Sequence, residues 1–241
     1  MKIIIAENME EFNEIAADIV SRQIRNKPDS VLGLATGSTP LGLYALLADK
    51  YKKGELDFSR VKTFNLDEYR GLPKDHPQSY YHYMYENLFS KINIKDENVN
   101  LLNGEGLDPY KVCADYEEKI KAAGGIDLQV LGIGHNGHIG FNEPGTPFDS
   151  VTDLIDLSER TIEANSRFFE SPDQVPRQAL SMGIKTIMQA RSIMLLISGS
   201  GKARIAAKAL KGPITQNVPA SVLQLHPFVT VILDKEAAEY L

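Results

Sequence analysis

Short apolar runs alternate with longer stretches of mixed apolar and polar residues along this 241-residue chain. Most of the runs are continuously apolar, which is the pattern of strands that are covered on both faces of a sheet. We predict strands at 2–5, 31–35, 61–64, 128–133, 193–197 and 228–233. The alternation of strands and helical stretches predicts an α/β fold with an open, mainly parallel sheet and helices on both faces.

Three of the helical stretches have recognisable ends. The helix after the first strand has Asn8 as its predicted N-cap and Glu11 as the second member of a capping box. The second helix is predicted to begin at Thr39, whose hydroxyl would cap it, with Pro40 at the first helical position. The third is predicted at 201–211 and ends before a Gly-Pro pair.

Composition narrows the class of protein. Hydrophobic residues make up 43 % and charged residues 24 % of the chain, which fits one globular domain over 1–241. The net charge of −6 argues against nucleic acid or an anionic membrane as a partner, since both require a basic face. Cys113 is the only cysteine, and no apolar run is long enough to span a bilayer. We therefore expect a cytoplasmic location.

The loop after the second predicted strand could hold an anion. In open α/β sheets, ligands bind beyond the carboxyl ends of the strands. Thr36, Gly37, Ser38 and Thr39 follow strand 31–35 and lead directly into a helix. Free N–H groups at a helix start, together with hydroxyls, can cradle a phosphate. The same residues can also be a plain helix cap, and the loop alone does not decide between the two.

The loop at 198–203 contains Gly-Lys at a helix start, as a P-loop does. Leu196 stands where a P-loop has its first glycine, and Ala203 follows the lysine where Ser or Thr is required. The sequence therefore argues against nucleotide hydrolysis. Lys202 is interpreted as a point charge for a simpler phosphate, with a solvated surface lysine as the alternative.

The loop after the fourth predicted strand partly matches a dinucleotide-binding motif and a metal site, but it meets the requirements of neither. Segment 132–137 satisfies G-x-G-x-x-G, but 138–147 is rich in helix breakers, whereas a dinucleotide fingerprint opens a helix. His135, His138 and Glu143 do not have the spacing of a common metal site. We expect neither a redox cofactor nor a metal.

The remaining candidates handle protons or anions. His138 can pass protons near neutral pH, with Glu143 to orient it, or it can be a buried structural histidine. Asp67 and Glu68 follow the third predicted strand, where a carboxylate can act as a base on carbon or lie in an exposed turn. Arg167 can clamp a phosphate from a mobile cover, or it can be an ordinary surface arginine. Together these groups suit the enolisation or isomerisation of a phosphorylated sugar.

Five motifs, in order along the chain, resemble those of the glucosamine-6-phosphate deaminase (glucosamine-6-phosphate isomerase) family. They lie at 34–40, 63–69, 132–144, 164–169 and 198–203, and the resemblance covers nearly the whole chain. It implies a modified Rossmann-like fold. It also implies conversion of glucosamine 6-phosphate and water to fructose 6-phosphate and ammonia.

The resemblance also implies a role for each candidate residue. Asp67 would move a proton between C2 and C1, and Glu68 would lie beside it and assist. His138 would open the pyranose ring, with Asn136 and Glu143 in support. The residues implied to hold the phosphate are Thr36, Gly37, Ser38, Thr39, Arg167 and Lys202. An active-site lid is expected around 157–180.

Two features depart from the family pattern. Many members carry Asp where this chain has Asn136, which can orient an imidazole but cannot stabilise its cation by charge, so we expect Glu143 to supply that charge. Some members are hexamers that N-acetylglucosamine 6-phosphate activates. Segment 145–159 contains three aspartates and no Lys or Arg, so an anionic activator would be repelled there. We expect no such activation, and a monomer or small homo-oligomer.

Two other functions are compatible with parts of the sequence. A 6-phosphogluconolactonase-like hydrolase resembles this family in its glycine-rich histidine loop, but it does not require segments 65–69 and 141–144, which are both present. A non-catalytic sugar-phosphate sensor would keep the phosphate loops and lose Asp67 or His138, and both are present. The sequence therefore favours the deaminase.

Overall fold

A central sheet and its covering helices account for most of the chain. The computed structural model describes residues 1–166, 169, 171 and 174–241. The strands are β1 (Lys2–Ala6), β2 (Val31–Leu34), β3 (Lys62–Asn65), β4 (Asp67–Tyr69), β5 (Val99–Asn100), β6 (Leu128–Gly132), β7 (Asp153–Asp156), β8 (Gln178–Ser181), β9 (Ser192–Ile197) and β10 (Val229–Asp234). The helices are α1 (Met9–Asn26), α2 (Leu41–Lys52), α3 (Tyr80–Asn87), α4 (Pro109–Ala122), α5 (Glu159–Ser166), α6 (Ile184–Met188) and α7 (Ala203–Lys211).

The predicted parallel sheet is confirmed. Seven strands pair in parallel in the order β1-β10-β9-β6-β2-β3-β5. Each of the six predicted strands is present, with ends within one residue of the prediction. A second, antiparallel sheet in the order β4-β8-β7 was not predicted, because its strands are only three or four residues long.

The strand order places a crevice beside β2. From β2 the chain adds β3 and β5 on one side, and it later returns to add β6, β9 and β10 on the other. The direction of winding therefore reverses between β2 and β6, and such a switch point leaves a crevice at the carboxyl ends of the strands. The loops after β2, β3, β6 and β9 all reach this edge of the sheet.

Apolar cores cover both faces of the parallel sheet, which explains the continuously apolar strands. Helices α1, α2 and α3 pack on one face, and α4, α6 and α7 pack on the other. Strand β1 forms one edge of the sheet, where Ile3 and Ile5 remain 41 % and 50 % exposed. Across 1–166 and 174–241, no helix is both long and apolar enough to cross a membrane.

The predicted helix caps are confirmed at α1 and wrong at α2. Asn8 Oδ1 accepts a hydrogen bond from the Glu11 N–H at 3.0 Å, as predicted, whereas the Glu11 carboxylate accepts from the Glu7 N–H instead of the Asn8 N–H. Helix α2 has Pro40 as its N-cap and no side-chain cap. The hydroxyl of Thr39 is therefore not used to cap the helix, because the helix starts one residue later than predicted.

One buried carboxylate connects several segments at the amino-terminal ends of the central strands. Asp127, which is 4 % exposed, accepts hydrogen bonds from the Val31 N–H at 2.8 Å, from Lys27 Nζ at 2.9 Å and from Arg191 Nη1 at 3.0 Å. Removing one partner of a buried, hydrogen-bonded ion pair destabilises a protein more than breaking an exposed pair does, because the remaining groups are left uncompensated. This cluster lies at the opposite edge of the sheet from the crevice.

We expect Asp127→Asn to lower the free energy of unfolding by about 2 kcal/mol, because it removes the charge that two cations share. Urea denaturation followed by circular dichroism measures the change. Asp115→Asn is the matched control, since Asp115 forms an exposed pair with Lys111 and should change stability by less than about 0.5 kcal/mol. Equal effects of the two variants would contradict the interpretation.

Candidate active site

The loop after β2 presents unused hydrogen-bond donors at the crevice. Gly37 has a φ of +102°, a conformation that favours glycine and turns the chain sharply. The hydroxyls of Tyr44 and Tyr83 donate to the carbonyls of Ala35 and Gly37 and fix the loop from behind. Among the described residues, the N–H and hydroxyl groups of 36–39 have no protein acceptor. This arrangement is suited to an anion that needs several neutral donors.

The loop after β9 contributes mainly the positive charge of Lys202 to the crevice, because two of its backbone amides are already hydrogen-bonded to carboxylates. The Gly199 N–H donates to Asp234 Oδ2 at 2.8 Å and the Ser200 N–H donates to Glu236 Oε2 at 3.2 Å. These carboxylates occupy two of the amides that a P-loop would offer to phosphate. Lys202 Nζ donates to the carbonyl of Ile133 at 2.8 Å, which ties this loop to the one after β6. Burial lowers the pKa of Lys202 to about 8.

Glycine is required at position 134 by the ring of His138. The Gly134 N–H donates to the carbonyl of His138 at 2.9 Å, and the loop folds back so that the imidazole lies over the glycine Cα. A Cβ atom at this position would overlap with Cε1 and Nε2 of the ring. At Gly132, by contrast, an added Cβ atom would meet no atom within 4 Å. The glycine pattern therefore supports an imidazole and leads into a turn at 139–142, where a dinucleotide site would have a helix.

A hydrogen-bond network surrounds the imidazole. His138 Nδ1 lies 2.7 Å from Asn136 Oδ1 and 3.4 Å from Glu143 Oε1. Asn136 Nδ2 donates to Glu143 Oε2 at 2.5 Å, and the Thr161 hydroxyl donates to Glu143 Oε1 at 2.8 Å. The structure thus brings together three of the predicted residues, His138, Asn136 and Glu143, and adds Thr161 from α5.

This network fixes the position of the imidazole proton. Glu143 is ionised and can only accept, so the atom of Asn136 that faces it must be the amide nitrogen. The oxygen of Asn136 therefore faces His138. Both neighbours of His138 Nδ1 are acceptors, and this nitrogen must carry a proton. In the neutral ring Nε2 is then the basic nitrogen.

The charge of Glu143 depends on the same contacts. Partial burial acts to raise its pKa, but the hydrogen bond and charge of His138, with hydrogen bonds from Thr161 and Asn136, outweigh it. The result is a pKa lowered to about 2. The carboxylate is therefore charged at neutral pH and lies 3.4 Å from His138 Nδ1. That it supplies the charge missing at position 136 stays a prediction.

Asp67 has a different environment. It lies at the start of β4, directly after β3, and is 7 % exposed, so it is not an exposed turn residue. Its carboxyl group has no hydrogen-bond partner among the described residues. Burial, and secondarily the charge of Glu68, raise the pKa of Asp67 to about 8. A carboxyl group with such a pKa can take up and release protons near neutral pH.

Glu68 is fully engaged with the backbone. Its carboxylate accepts hydrogen bonds from the N–H groups of Tyr69 at 2.8 Å and of Tyr80 and Tyr81 at 2.9 Å. Burial raises the pKa of Glu68, while these three amides oppose the rise. The residue therefore holds the start of α3 beside Asp67. Its predicted assistance to the reaction stays a prediction.

The turn after His138 brings Asp67 and the imidazole loop together. A Cβ atom added to Gly140 would lie 3.6 Å from Asp67 Oδ2 and 3.1 Å from Ser181 Oγ. Asp67 pairs with Ser181 across β4 and β8, and the Ser181 hydroxyl accepts from the Phe141 N–H at 3.1 Å. The small antiparallel sheet therefore places Asp67 beside Gly140, which follows His138 by two positions in the chain.

The described residues of the predicted lid, 157–180, include several that pack against this region. Leu157, Ile162 and Val175 are buried in a cluster with Tyr69 and Phe141. Whether the segment opens and closes stays a prediction. Arg167, predicted as a phosphate clamp, lies outside the described residues.

The residues that the sequence did not indicate are supports for these groups. Thr161 contacts Glu143 from 18 positions away, and Ser181 lies opposite Asp67 from a distant strand. Asn142 donates to the carbonyls of Ile139 and Met182, both at 2.8 Å, and so fixes the turn. Only Asn142 lies within one of the recognised motifs. For the other two no local signal exists, since serine and threonine are common throughout the chain.

The chain is similar to known proteins over its full length. A family model described as glucosamine-6-phosphate isomerases/6-phosphogluconolactonase matches residues 6–232. A glucosamine-6-phosphate deaminase of Thermoanaerobacter pseudethanolicus is 57 % identical over 99 % of this chain and 94 % of its own length. One of Halothermothrix orenii is 56 % identical over the whole of both chains. The structure of a monomeric glucosamine-6-phosphate deaminase superposes with a TM-score of 0.97 at 47 % identity, over the whole of both chains.

We expect Gly134→Ala to displace the His138 ring by about 1 Å, because a methyl group would occupy the space of the ring. A crystal structure of the variant measures the displacement. Gly132→Ala is the control in the same loop, since its methyl group meets open space. An unmoved imidazole in Gly134→Ala would show that the glycine is not required by the ring.

Proposed function

The chain belongs to the family of glucosamine-6-phosphate isomerases and 6-phosphogluconolactonases, and we propose that it converts glucosamine 6-phosphate and water to fructose 6-phosphate and ammonia. The family membership and the names of the relatives support an enzyme that acts on a sugar phosphate. The observation that carries the choice of reaction is the buried, unpaired carboxyl group of Asp67, placed next to a second, separate proton-handling group.

Ring opening is assigned to His138. In the neutral ring, Nδ1 carries the proton and Nε2 is free to accept one. Nε2 removes the proton of the C1 hydroxyl while the C1–O5 bond breaks, and the proton is returned to O5. The products are a C1 aldehyde and a C5 hydroxyl. Glu143 stabilises the transient imidazolium, because its carboxylate lies 3.4 Å from Nδ1.

Proton transfer on carbon is assigned to Asp67. Its ionised carboxylate removes the C2 proton of the open chain, a proton passes from the substrate ammonium group to the C1 oxygen, and an enolamine with a C1=C2 double bond forms. The protonated Asp67 then returns a proton to C1, which leaves an imine at C2. Water adds to C2 and ammonia departs, so that fructose 6-phosphate remains. The substrate ammonium group favours the ionised form of Asp67 in the complex.

The phosphate is assigned to the loops that carry unused donors and a cation. The amides and hydroxyls of 36–39 provide neutral donors, and Lys202 provides charge. Anchoring the phosphate holds an acyclic chain in one position, which lowers the entropic barrier to both steps. Arg167 completes the proposed set as the clamp from the lid.

The lactonase alternative is less well supported. A lactonase breaks an ester bond and needs no base that acts on carbon. Asp67 is buried beside another acid and raised in pKa, which costs stability and is unnecessary for hydrolysis. A sensor without chemistry would equally have no use for such a group. The reactive carboxyl group therefore favours isomerisation coupled to deamination.

The assembly and the location of the protein are further parts of the proposal. The similar solved enzyme is described as monomeric. We propose a monomer or small homo-oligomer without activation by N-acetylglucosamine 6-phosphate, because 145–159 carries acids and no basic residue. A cytoplasmic location is proposed because a charged sugar phosphate does not cross a membrane unaided.

We expect Asp67→Asn to lower ammonia release from glucosamine 6-phosphate by roughly a thousandfold, because the amide cannot accept the C2 proton. The variant should still bind the substrate and accelerate its mutarotation, since His138 is intact. Ammonia is measured by a coupled assay, C2 exchange with solvent deuterium by proton NMR, and mutarotation by NMR exchange.

Asp149→Asn, at an exposed position of 145–159, is the matched control and should retain the wild-type rate. Wild-type enzyme that releases no ammonia but hydrolyses 6-phosphogluconolactone would overturn the proposed function in favour of the lactonase. Binding of glucosamine 6-phosphate without any turnover would favour the sensor.

The pKa values of Asp67 and Lys202 predict a pH optimum of kcat/KM near 8. Asp67 is protonated below a pKa of about 8, so the rate should fall about tenfold per pH unit on the acidic side. Lys202 loses its charge above a pKa of about 8, so phosphate binding should weaken on the alkaline side. Lys202→Arg keeps the charge at high pH and should remove only the alkaline fall. A profile that is flat from about pH 6 to 8 would contradict the role of Asp67.

A further inference from the structure

One side chain from the lid contacts the proton-handling network. The Thr161 hydroxyl donates to Glu143 Oε1 at 2.8 Å, and this is the same oxygen that lies 3.4 Å from His138 Nδ1. The other oxygen of Glu143 is held by Asn136. Each oxygen of the carboxylate is therefore fixed by a different part of the chain.

The contact from Thr161 decides where the charge of Glu143 lies. Rotation about the Cγ–Cδ bond of a glutamate is a soft torsion, and a single hydrogen bond to one carboxylate oxygen restrains it only in part. The bond from Asn136 alone would therefore leave Oε1 free to swing away from the imidazole. With Thr161 in place, both oxygens are fixed and the negative charge stays beside His138 Nδ1.

The first turn of α5 orients the threonine. The Thr161 N–H donates to Ser158 Oγ at 3.2 Å, and the two hydroxyl oxygens lie 2.9 Å apart. Since the hydroxyl hydrogen of Thr161 is directed at Glu143, the Ser158 hydroxyl must donate to Thr161. Hydrogen bonds in such a chain strengthen one another. The helix start therefore aims the threonine at the carboxylate.

We propose that Thr161 is a positioning residue for ring opening, which links the docking of α5 to the ability of Glu143 to stabilise protonated His138. This inference rests on the proposed function, because it assigns a support to the ring-opening step of that reaction. Thr161 acts through Glu143 and has no part in the transfer of the C2 proton. Loss of its hydroxyl therefore impairs ring opening in particular.

The test separates ring opening from the later chemistry. In an Asp67→Asn background the C2 proton is not transferred, so the enzyme-catalysed increment in the mutarotation of glucosamine 6-phosphate reports ring opening alone. Thr161→Val removes the hydroxyl and keeps the size and branching of the side chain. We expect Thr161→Val to lower the enzyme-catalysed part of the mutarotation rate by about tenfold to a hundredfold, because one hydrogen bond to a charged group is lost.

Two further variants distinguish positioning from helix docking. Thr161→Ser restores the hydroxyl and should keep most of the increment. Ile162→Val removes one methyl group from the buried face of α5 without touching Glu143, and should also keep it. Mutarotation in Thr161→Val that equals the Asp67→Asn rate would overturn the proposal, as would an equal loss in Ile162→Val.

The failure of the proposed function gives a different result. If wild-type enzyme releases no ammonia and the Asp67→Asn enzyme does not accelerate mutarotation, the function and this inference fall together. If both enzymes behave as expected and Thr161→Val matches its parent, only the role of Thr161 is refuted. Circular dichroism of each variant confirms that the fold is retained.

Discussion

The carboxyl group of Asp67 is buried beside a second acid and has no hydrogen-bond partner among the described residues. Ionising such a group is unfavourable, so its pKa rises into the range in which it can exchange protons with carbon. The surrounding fold has to hold it there against that cost. Asp67 lies just beyond the carboxyl end of β3, and its backbone pairs with Ser181 of β8. The other acids of the site are satisfied, Glu68 by three amides and Glu143 by His138, Asn136 and Thr161.

Asp67 and Glu143 differ in pKa because their surroundings differ. Burial, and secondarily the charge of Glu68, raise the pKa of Asp67 to about 8, whereas the contacts with His138, Thr161 and Asn136 lower the pKa of Glu143 to about 2. The proton of the neutral His138 ring lies on Nδ1, which faces the acceptors Asn136 Oδ1 and Glu143 Oε1. One loop cluster therefore combines a carboxyl group with a raised pKa and a carboxylate with a lowered pKa.

The sequence alone predicted the parallel sheet well, because strands that are buried on both faces must be apolar throughout. It missed β4, β5, β7 and β8, which are short and lie where one face is polar or the strand pairs with a distant segment. It placed the cap of α2 at Thr39, since a hydroxyl before proline is a strong local signal. The helix instead begins after Pro40, and the Thr39 hydroxyl does not cap it.

The residue types of the site were also readable from the sequence, because acids, glycines and histidines after strands are local features. What the sequence determined was therefore which loops carry chemistry, and their motifs indicated the family. Only the tertiary structure decided that Asp67 finds no hydrogen-bond partner in the described part of the chain, that Glu68 accepts from the start of α3, and that Thr161 reaches Glu143. These properties arise from contacts between segments far apart in the chain, and burial and pairing across such distances leave no local pattern.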